Sequence, residues 1–257
     1  MSLNRKNDYF YNMRVFHNYI KRYLYNKYAN NIDNLLEIAI GKGGDLDKWI
    51  KNDIKNVIGY DINEYYLKEC LRRYNCRNEL TPSLSLFLGD LSKDIIQSFP
   101  YKFDVISAMF SFHYFFESKQ SFNTIMQSIL NNCTNDTIFM GTIFDNKQIN
   151  NIFSQLPFFD ENNDIRFDIK KYDSSTNVPA ALNKINVYMK NSVLDTPMDE
   201  YLIDFDQFVI EMKKYNFILI ESNLFEYFYP VFNIKLNNLE QKVSFLYRTF
   251  VFKYHLI

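Results

Sequence analysis

Residues 35–49 read LLEIAIGKGGDLDKW, an apolar run that breaks after Ile40 into Gly41, Gly43 and Gly44, with Lys42 among them, and then into Asp45 and Asp47. Apolar residues that stop at glycines and resume at helical spacing predict a strand ending at Ile40, a tight turn and a helix beginning near Asp45. In doubly wound sheets the first such turn lies outside the carboxyl ends of the strands, because glycine lets the backbone approach a bound group closely. The rest of the chain has to supply the sheet.

It does so by alternation. Asn34 to Ile40, Asn56 to Tyr60, Ser83 to Leu88, Phe103 to Met109 and Thr137 to Thr142 are short apolar runs separated by helix-length segments. That order predicts an α/β, doubly wound, Rossmann-like parallel sheet with helices on both faces. Ahead of it, residues 9–28 carry Val15, Phe16, Tyr19, Ile20, Tyr23 and Leu24 as a helical stripe. Residues 158–190 interrupt the pattern with RFDIKKY and KINVYMK around SSTNVPAA, an inserted hairpin or lid on the substrate side that extends to about residue 200. The pattern then resumes with a helix marked by Phe205, Phe208, Val209 and Met212, a strand FILIES at 217–222, and a last strand VSFLYRTFVFKY at 243–254 suited to a sheet edge or hairpin. No repeat and no linker divides the 257 residues, which read as one domain.

Composition narrows the partners. A formal charge of −1 means that any nucleic-acid contact rests on a local basic patch. Three cysteines without a C-x-x-C pair argue against a disulfide framework or a zinc site. The start MSLNRKNDYF has no apolar signal segment, and no apolar run reaches the ~18 residues of a membrane span, so the expectation is a soluble, intracellular protein without a membrane partner.

The turn itself selects a ligand class. Twenty residues after Gly41 the second strand ends in GYDIN, where Asp61 can accept both hydroxyls of a ribose. A dinucleotide would set its pyrophosphate on the following helix, but Glu37 and Asp45 there repel phosphate. They suit a cationic cofactor, and S-adenosylmethionine carries a sulfonium and an ammonium for Glu37, Asp45 or both to face. Asp90, ending SLFLGD, can serve an adenine amino group or cap the helix expected from LSKDIIQSF. In KFDVISAMFSFHYFFES, residues 102–118, His113 falls just past the fourth strand's carboxyl end, where substrate meets cofactor; the alternative is a satisfied core histidine.

These residues resemble the messenger RNA cap guanine-N7 methyltransferases, especially those of large DNA viruses and lower eukaryotes. LLEIAIGKGGDL is similar to that family's L-D-x-G-x-G-K-G-G-D-L, and FDVISAMFSFHYFF to its F-D-x-x-S-x-x-F-x-x-H-Y-x-F without a gap. Arg14, Asn18 and Lys21 resemble its R-x-x-x-N-x-x-K, TPMDEYLI at 196–203 its segment around a cap-contacting glutamate, and Tyr247 its final-strand tyrosine. Ala39 and Ile40 depart from the usual Gly and Cys, and Glu37 from Asp. The resemblance implies that Lys21, Glu37, Gly41, Asp45, Asp61, Asp90 and Phe110 surround S-adenosylmethionine, with no metal. It implies that Lys42, Arg73, His113, Tyr114, Glu200 and Tyr247 surround the capped guanosine and its triphosphate. Glu200 would accept from guanine N1–H and N2–H and His113 donate to O6, so that His113, Tyr114 and Glu200 position the base and no residue acts as acid or base. The expected partner is 5′-capped RNA, with further capping-enzyme domains or a stimulatory subunit as additional candidates. The expected location is the nucleus in a cell, or the cytoplasm or virion for a virus. Two rivals stay open: a catalytically silent subunit of a capping complex, and a methyltransferase for another substrate.

Overall fold

In a computed structural model that describes residues 10–77, 82–152, 158–159, 165–170, 181–189 and 197–256, the chain opens with α1 (Tyr11–Tyr28). There follow β1 (Asn34–Ile38), α2 (Leu46–Lys51), β2 (Asn56–Asp61), α3 (Glu64–Asn75), β3 (Ser83–Leu88) and β4 (Val105–Met109). A 3-10 turn (Phe112–Glu117), α4 (Lys119–Asn132), β5 (Ile138–Phe144) and α5 (Asn146–Ile152) complete the first part. The second part holds β6 (Phe158–Phe159), β7 (Ile165–Lys170), β8 (Ala181–Met189), β9 (Met198–Ile203), α6 (Phe205–Lys214), β10 (Phe217–Glu221), α7 (Phe225–Phe232), α8 (Asn238–Ser244) and β11 (Tyr247–Tyr254).

The main sheet has the order β3-β2-β1-β4-β5-β11-β10. Its first five strands are parallel, and β11 runs antiparallel to both neighbours. Alternation along the strands sorts the core into two layers. Leu36, Ile38, Ile106, Ala108 and Phe139 pack with Phe122, Ile125 and Ile129 of α4 and Phe208 and Met212 of α6. Leu35, Val57, Val105 and Met140 pack with Leu24 and Tyr25 of α1, Trp49 of α2 and Leu67 of α3. Glu37, between Leu36 and Ile38, is therefore directed to the α1 side.

Four expectations change. The insertion is a four-stranded antiparallel sheet, β6-β7-β8-β9, rather than one hairpin; most of SSTNVPAA lies outside the described residues. The segment after Asp90 makes a turn and then runs without a helix to β4, held by the buried Leu91 and Ile96 and by Ile96 N–H donating to Ser128 Oγ at 2.8 Å. The last strand begins at Tyr247, because Asn237 and Glu240 form a capping box that starts α8 and carries residues 243–244 into it. Its place is between β5 and β10, with Phe250, Val251 and Phe252 fully buried, and β10 takes the edge.

Candidate functional site

β1 stops at Ile38 because Ala39 takes a left-handed backbone, φ 55°, and Gly41 and Gly43 continue it at 57° and 69°. A side chain on Gly43 would put its Cβ 2.7 Å from Cys70 Sγ of α3, so the turn packs against that helix only with glycine there. A Cβ on Gly41 would meet nothing within 4 Å, which leaves open space above the turn. Ile40 turns inward, over Gly59 of β2, where a Cβ would stand 2.2 Å from Ile40 Cδ1.

Under this turn lies a buried charge cluster. Glu37 Oε2 accepts hydrogen bonds from the Tyr25 hydroxyl at 2.7 Å and from Ser107 Oγ. Asp45 Oδ1 is gripped by Lys21 Nζ at 2.6 Å and Lys48 Nζ at 2.7 Å. Lys48 also donates to Asn18 Oδ1 at 2.9 Å and Gly44 O at 3.1 Å. Burial and the negative charge of Asp45 push the Glu37 carboxyl up to about 8. Burial acts on Asp45 in the same direction, but the two ammonium groups outweigh it and hold the carboxyl at about 2. Of the two carboxylates the sequence offered to a cation, Asp45 is thus neutralised within the protein, and no ion pair is made by Glu37 among the described residues.

Asp61 ends β2 and ties it to the turn: Oδ2 accepts from Gly41 N–H at 2.7 Å and Oδ1 from Asn63 N–H at 2.8 Å. Each oxygen keeps a second lone pair for a ligand hydroxyl. Asp90, past β3, accepts from Ser92 N–H and Oγ at 3.1 and 2.6 Å and pairs with Lys93 at 2.8 Å, so it caps a turn at the same edge of the sheet.

At the end of β4, Phe110 is also left-handed, φ 57°, with its N–H fixed to Thr142 Oγ1 at 2.9 Å. The 3-10 turn that follows buries Phe112, Phe115 and Phe116 and sends His113 and Tyr114 toward β9. Glu200, 3% exposed on β9, has Oε2 3.1 Å from His113 Nε2 and Oε1 3.2 Å from the Tyr114 hydroxyl, which donates to it. Neither His113 nitrogen makes an aligned hydrogen bond among the described residues, although the residue is 1% exposed. Burial, then the charge of Glu200, raises the Tyr114 and Tyr247 phenols well above their ordinary value. Tyr247 stacks on Phe144 with centroids 4.2 Å apart.

Lys42 Nζ stands over the Tyr66 ring at 4.8 Å, and the Tyr66 phenol is near enough to Tyr114 to contribute to that rise. Arg73 is engaged instead with Glu69, Nε to Oε1 at 2.8 Å, and no described contact joins it to Lys42 or Glu200. The structure thus groups Lys21, Glu37 and Asp45 in one cluster and His113, Tyr114, Glu200 and Tyr247 in another, with Phe110 between.

Sequence reasoning missed His17, Tyr25, Lys48 and Ser107. His17 stacks on Phe110 at 5.3 Å and lies edge-on to Tyr247 at 5.5 Å, its Nε2 3.0 Å from Ser244 Oγ. Burial, then Lys21, pushes its imidazole down to about 3, so it is neutral. His17, Lys21 and Tyr25 recur every four residues along α1, and that spacing on one helical face was a readable signal.

A parallel sheet closed by one reversed strand, with a glycine turn after β1 and an acid ending β2, is the fold of S-adenosylmethionine-dependent methyltransferases. A solved methyltransferase of that kind from Clostridium acetobutylicum superposes with a TM-score of 0.61 at 14% identity, covering 99% of this chain and 95% of that one. The glycopeptide N-methyltransferase MtfA in complex with S-adenosylmethionine gives 0.54 at 12% identity, with 87% of each chain covered. At these identities the likeness is one of fold.

The model of the mRNA (guanine-N(7))-methyltransferase domain matches residues 2–248, and the chain belongs to that family. The mRNA cap guanine-N(7) methyltransferase of Schizosaccharomyces pombe is 29% identical over 221 residues, 81% of this chain and 60% of that protein. That of Candida albicans is 28% identical over 253 residues, 84% of this chain and 53% of that protein. A probable mRNA-capping enzyme of Acanthamoeba polyphaga mimivirus is 26% identical over 265 residues, 88% of this chain but 22% of that protein. The chain spans only part, 33%, 60% and 53%, of the first cellular relatives it matches.

Proposed function

We propose that this domain transfers the methyl group of S-adenosylmethionine to N7 of the guanosine cap at the 5′ end of RNA. The observation that carries the reading is His113, a buried imidazole with no aligned hydrogen bond, held against the buried carboxylate of Glu200. Unpaired polar groups in a protein interior cost ~1–3 kcal/mol each, and a purine edge bearing both donors and acceptors would satisfy this pair.

The residues present also fit the cofactor. The ammonium groups of the buried cluster pair with Asp45 and leave the Glu37 carboxyl for a cation, Gly41 leaves open space above the turn, and Asp61 has lone pairs for ribose hydroxyls. Lys21 would meet the carboxylate of the methionine end, Asp90 the adenine side, and Phe110 the wall between the two clusters. When bound, S-adenosylmethionine supplies an electrophilic methyl group. Guanine N7 has its own in-plane lone pair, so no side chain has to remove a proton, and His113, Tyr114 and Glu200 need only hold the base. Fixing the acceptor in line with a donor can account for ~7–11 kcal/mol of barrier. Tyr114 in turn fixes the Glu200 carboxylate by donating to it, and that carboxylate would accept from N1–H and N2–H, while Lys42 and Arg73 would meet the triphosphate.

The test is transfer of labelled methyl from S-adenosylmethionine to RNA ending in GpppA or GpppG, with the label recovered at guanine N7. A domain that binds S-adenosylmethionine in calorimetry but labels no capped end would be a methyltransferase for another acceptor. One that binds none would be a silent subunit.

A further inference from the structure

Resting on the cap-methylating reading, we infer that the first turn of α3, with Lys42, is a stacking platform for the first transcribed nucleotide of the capped RNA. α3 starts at the carboxyl edge of the sheet directly after Asp61, and Asn63 fixes its first turn by accepting from Tyr66 N–H at 3.3 Å. Tyr65 and Tyr66 leave that turn with ring centroids 6.2 Å apart, and Tyr65 is 66% exposed. Lys42 Nζ lies 5.4 Å from the Tyr65 centroid and 4.8 Å from that of Tyr66. No carboxylate of the described residues pairs with this ammonium, in contrast to Lys68 one turn along the helix, which pairs with Glu64 at 2.8 Å.

An exposed aromatic face beside an unneutralised cation is what single-stranded nucleic acid recognises: bases stack on the ring, and phosphate takes the charge. The platform stands at the same carboxyl edge of the sheet as the His113–Glu200 pair, because α3 follows β2 and the 3-10 turn carrying Tyr114, which donates to Glu200, follows β4, and both strands run parallel to β1. A guanine held by Glu200 would thus direct its phosphates past Lys42, and the next base would arrive over Tyr65.

The experiment compares kcat/KM for methyl transfer to GTP, to GpppA and to a short GpppA-capped single-stranded RNA, in the wild type, Tyr65→Ala and Tyr65→Phe. GTP lacks the transcribed base. Tyr65→Ala should lower the ratio of GpppA over GTP about tenfold, the scale of one base–aromatic stack, and Tyr65→Phe should retain it because the ring remains. An unchanged ratio in Tyr65→Ala overturns the platform. Direct binding of fluorescently labelled capped RNA, read by anisotropy, separates this failure from that of the cap reading. Were no acceptor methylated by the wild type, a Tyr65-dependent loss of RNA affinity would still support the platform, and equal affinity in Tyr65→Ala would remove it.

Discussion

Replacing Glu37 by glutamine should stabilise the ligand-free protein, and the gain should grow with pH. In the folded chain the carboxyl is raised from 4.5 to about 8, by burial first and by Asp45 second. Between those values the folded state keeps a proton that the unfolded state has lost, so stability falls as pH rises through this window, and above it the whole penalty is present. The slope is about 1.4 kcal/mol per pH unit, which from about pH 5.5 to 8 amounts to a ceiling of ~3 kcal/mol. The carboxamide introduced by Glu37→Gln is close to the protonated carboxyl in shape and still accepts from Tyr25 and Ser107, so the variant escapes the penalty. Asp45, held at about 2, titrates below the window. His17, pushed down to about 3, costs stability only as pH falls below its unfolded value of 6.5, and equally in both proteins. The melting-temperature gap should therefore widen by roughly 6–12 °C between about pH 5.5 and pH 8, by the scaling for a chain of this size. Thermal melts of both proteins across that range measure it. A gap that stays constant with pH would refute the burial argument, and a Glu37→Gln protein still stabilised by S-adenosylmethionine would take Glu37 out of the cofactor site.

Three further outcomes follow from the same geometry. Ala39→Gly removes a methyl from a left-handed position that costs ~1–2 kcal/mol for an L-residue, partly offset by ~0.4–1 kcal/mol of unfolded-state entropy; melting should change little while calorimetry shows tighter S-adenosylmethionine binding. Gly43→Ala drives a Cβ to 2.7 Å from Cys70 Sγ at φ 69° and should lower stability by ~2–4 kcal/mol in denaturant titrations. His113→Ala and Glu200→Gln should each cost ~1–3 kcal/mol in kcat/KM for capped RNA with S-adenosylmethionine affinity unchanged, and the double variant should lose less than the sum because the two share one base.

β1, β2, β4 and β5 were legible because each is largely buried and so reads as an apolar run, whereas β3, an exposed edge strand, was legible only from its place in the alternation of strand and helix. What followed them was less so, for separate physical reasons. The inserted sheet is Asn- and Lys-rich, and its alternation is too weak to reveal four strands. The capping box at Asn237 and Glu240 was masked by the apolar residues of the strand behind it. Tyr25 falls in the apolar stripe of α1, so periodicity assigns it to the core; only the fold shows its hydroxyl on Glu37. Tyr114 and Glu200 are 86 residues apart, and their meeting depends on β9 pairing with β8 so that Glu200 stands opposite Ile185. No local pattern encodes that register, and only the resemblance pointed to Glu200.

Backbone strain points to the same cleft from an independent direction. Seven non-glycine residues among those described have a left-handed backbone, and five of them are Asn or Asp: Asn31, Asp53, Asp136, Asn216 and Asn233. Those types adopt the conformation at little cost in turns, so they mark nothing beyond a change of direction. The remaining two are Ala39 and Phe110. They follow the ends of β1 and β4, strands paired at the centre of the sheet, so that ~1–2 kcal/mol of strain at each is concentrated at one edge. Such strain persists where surrounding contacts overdetermine it, and those contacts are present: Ile40 N–H to Tyr60 O at 2.9 Å beside Ala39, and Phe110 N–H to Thr142 Oγ1. Each bend redirects the chain at once, the first into the glycine turn above Glu37 and the second into the turn that carries His113 and Tyr114. The two clusters that would grip donor and acceptor are thus set by the two most strained turns, and a relaxed residue at either position would change the angle at which the clusters face one another.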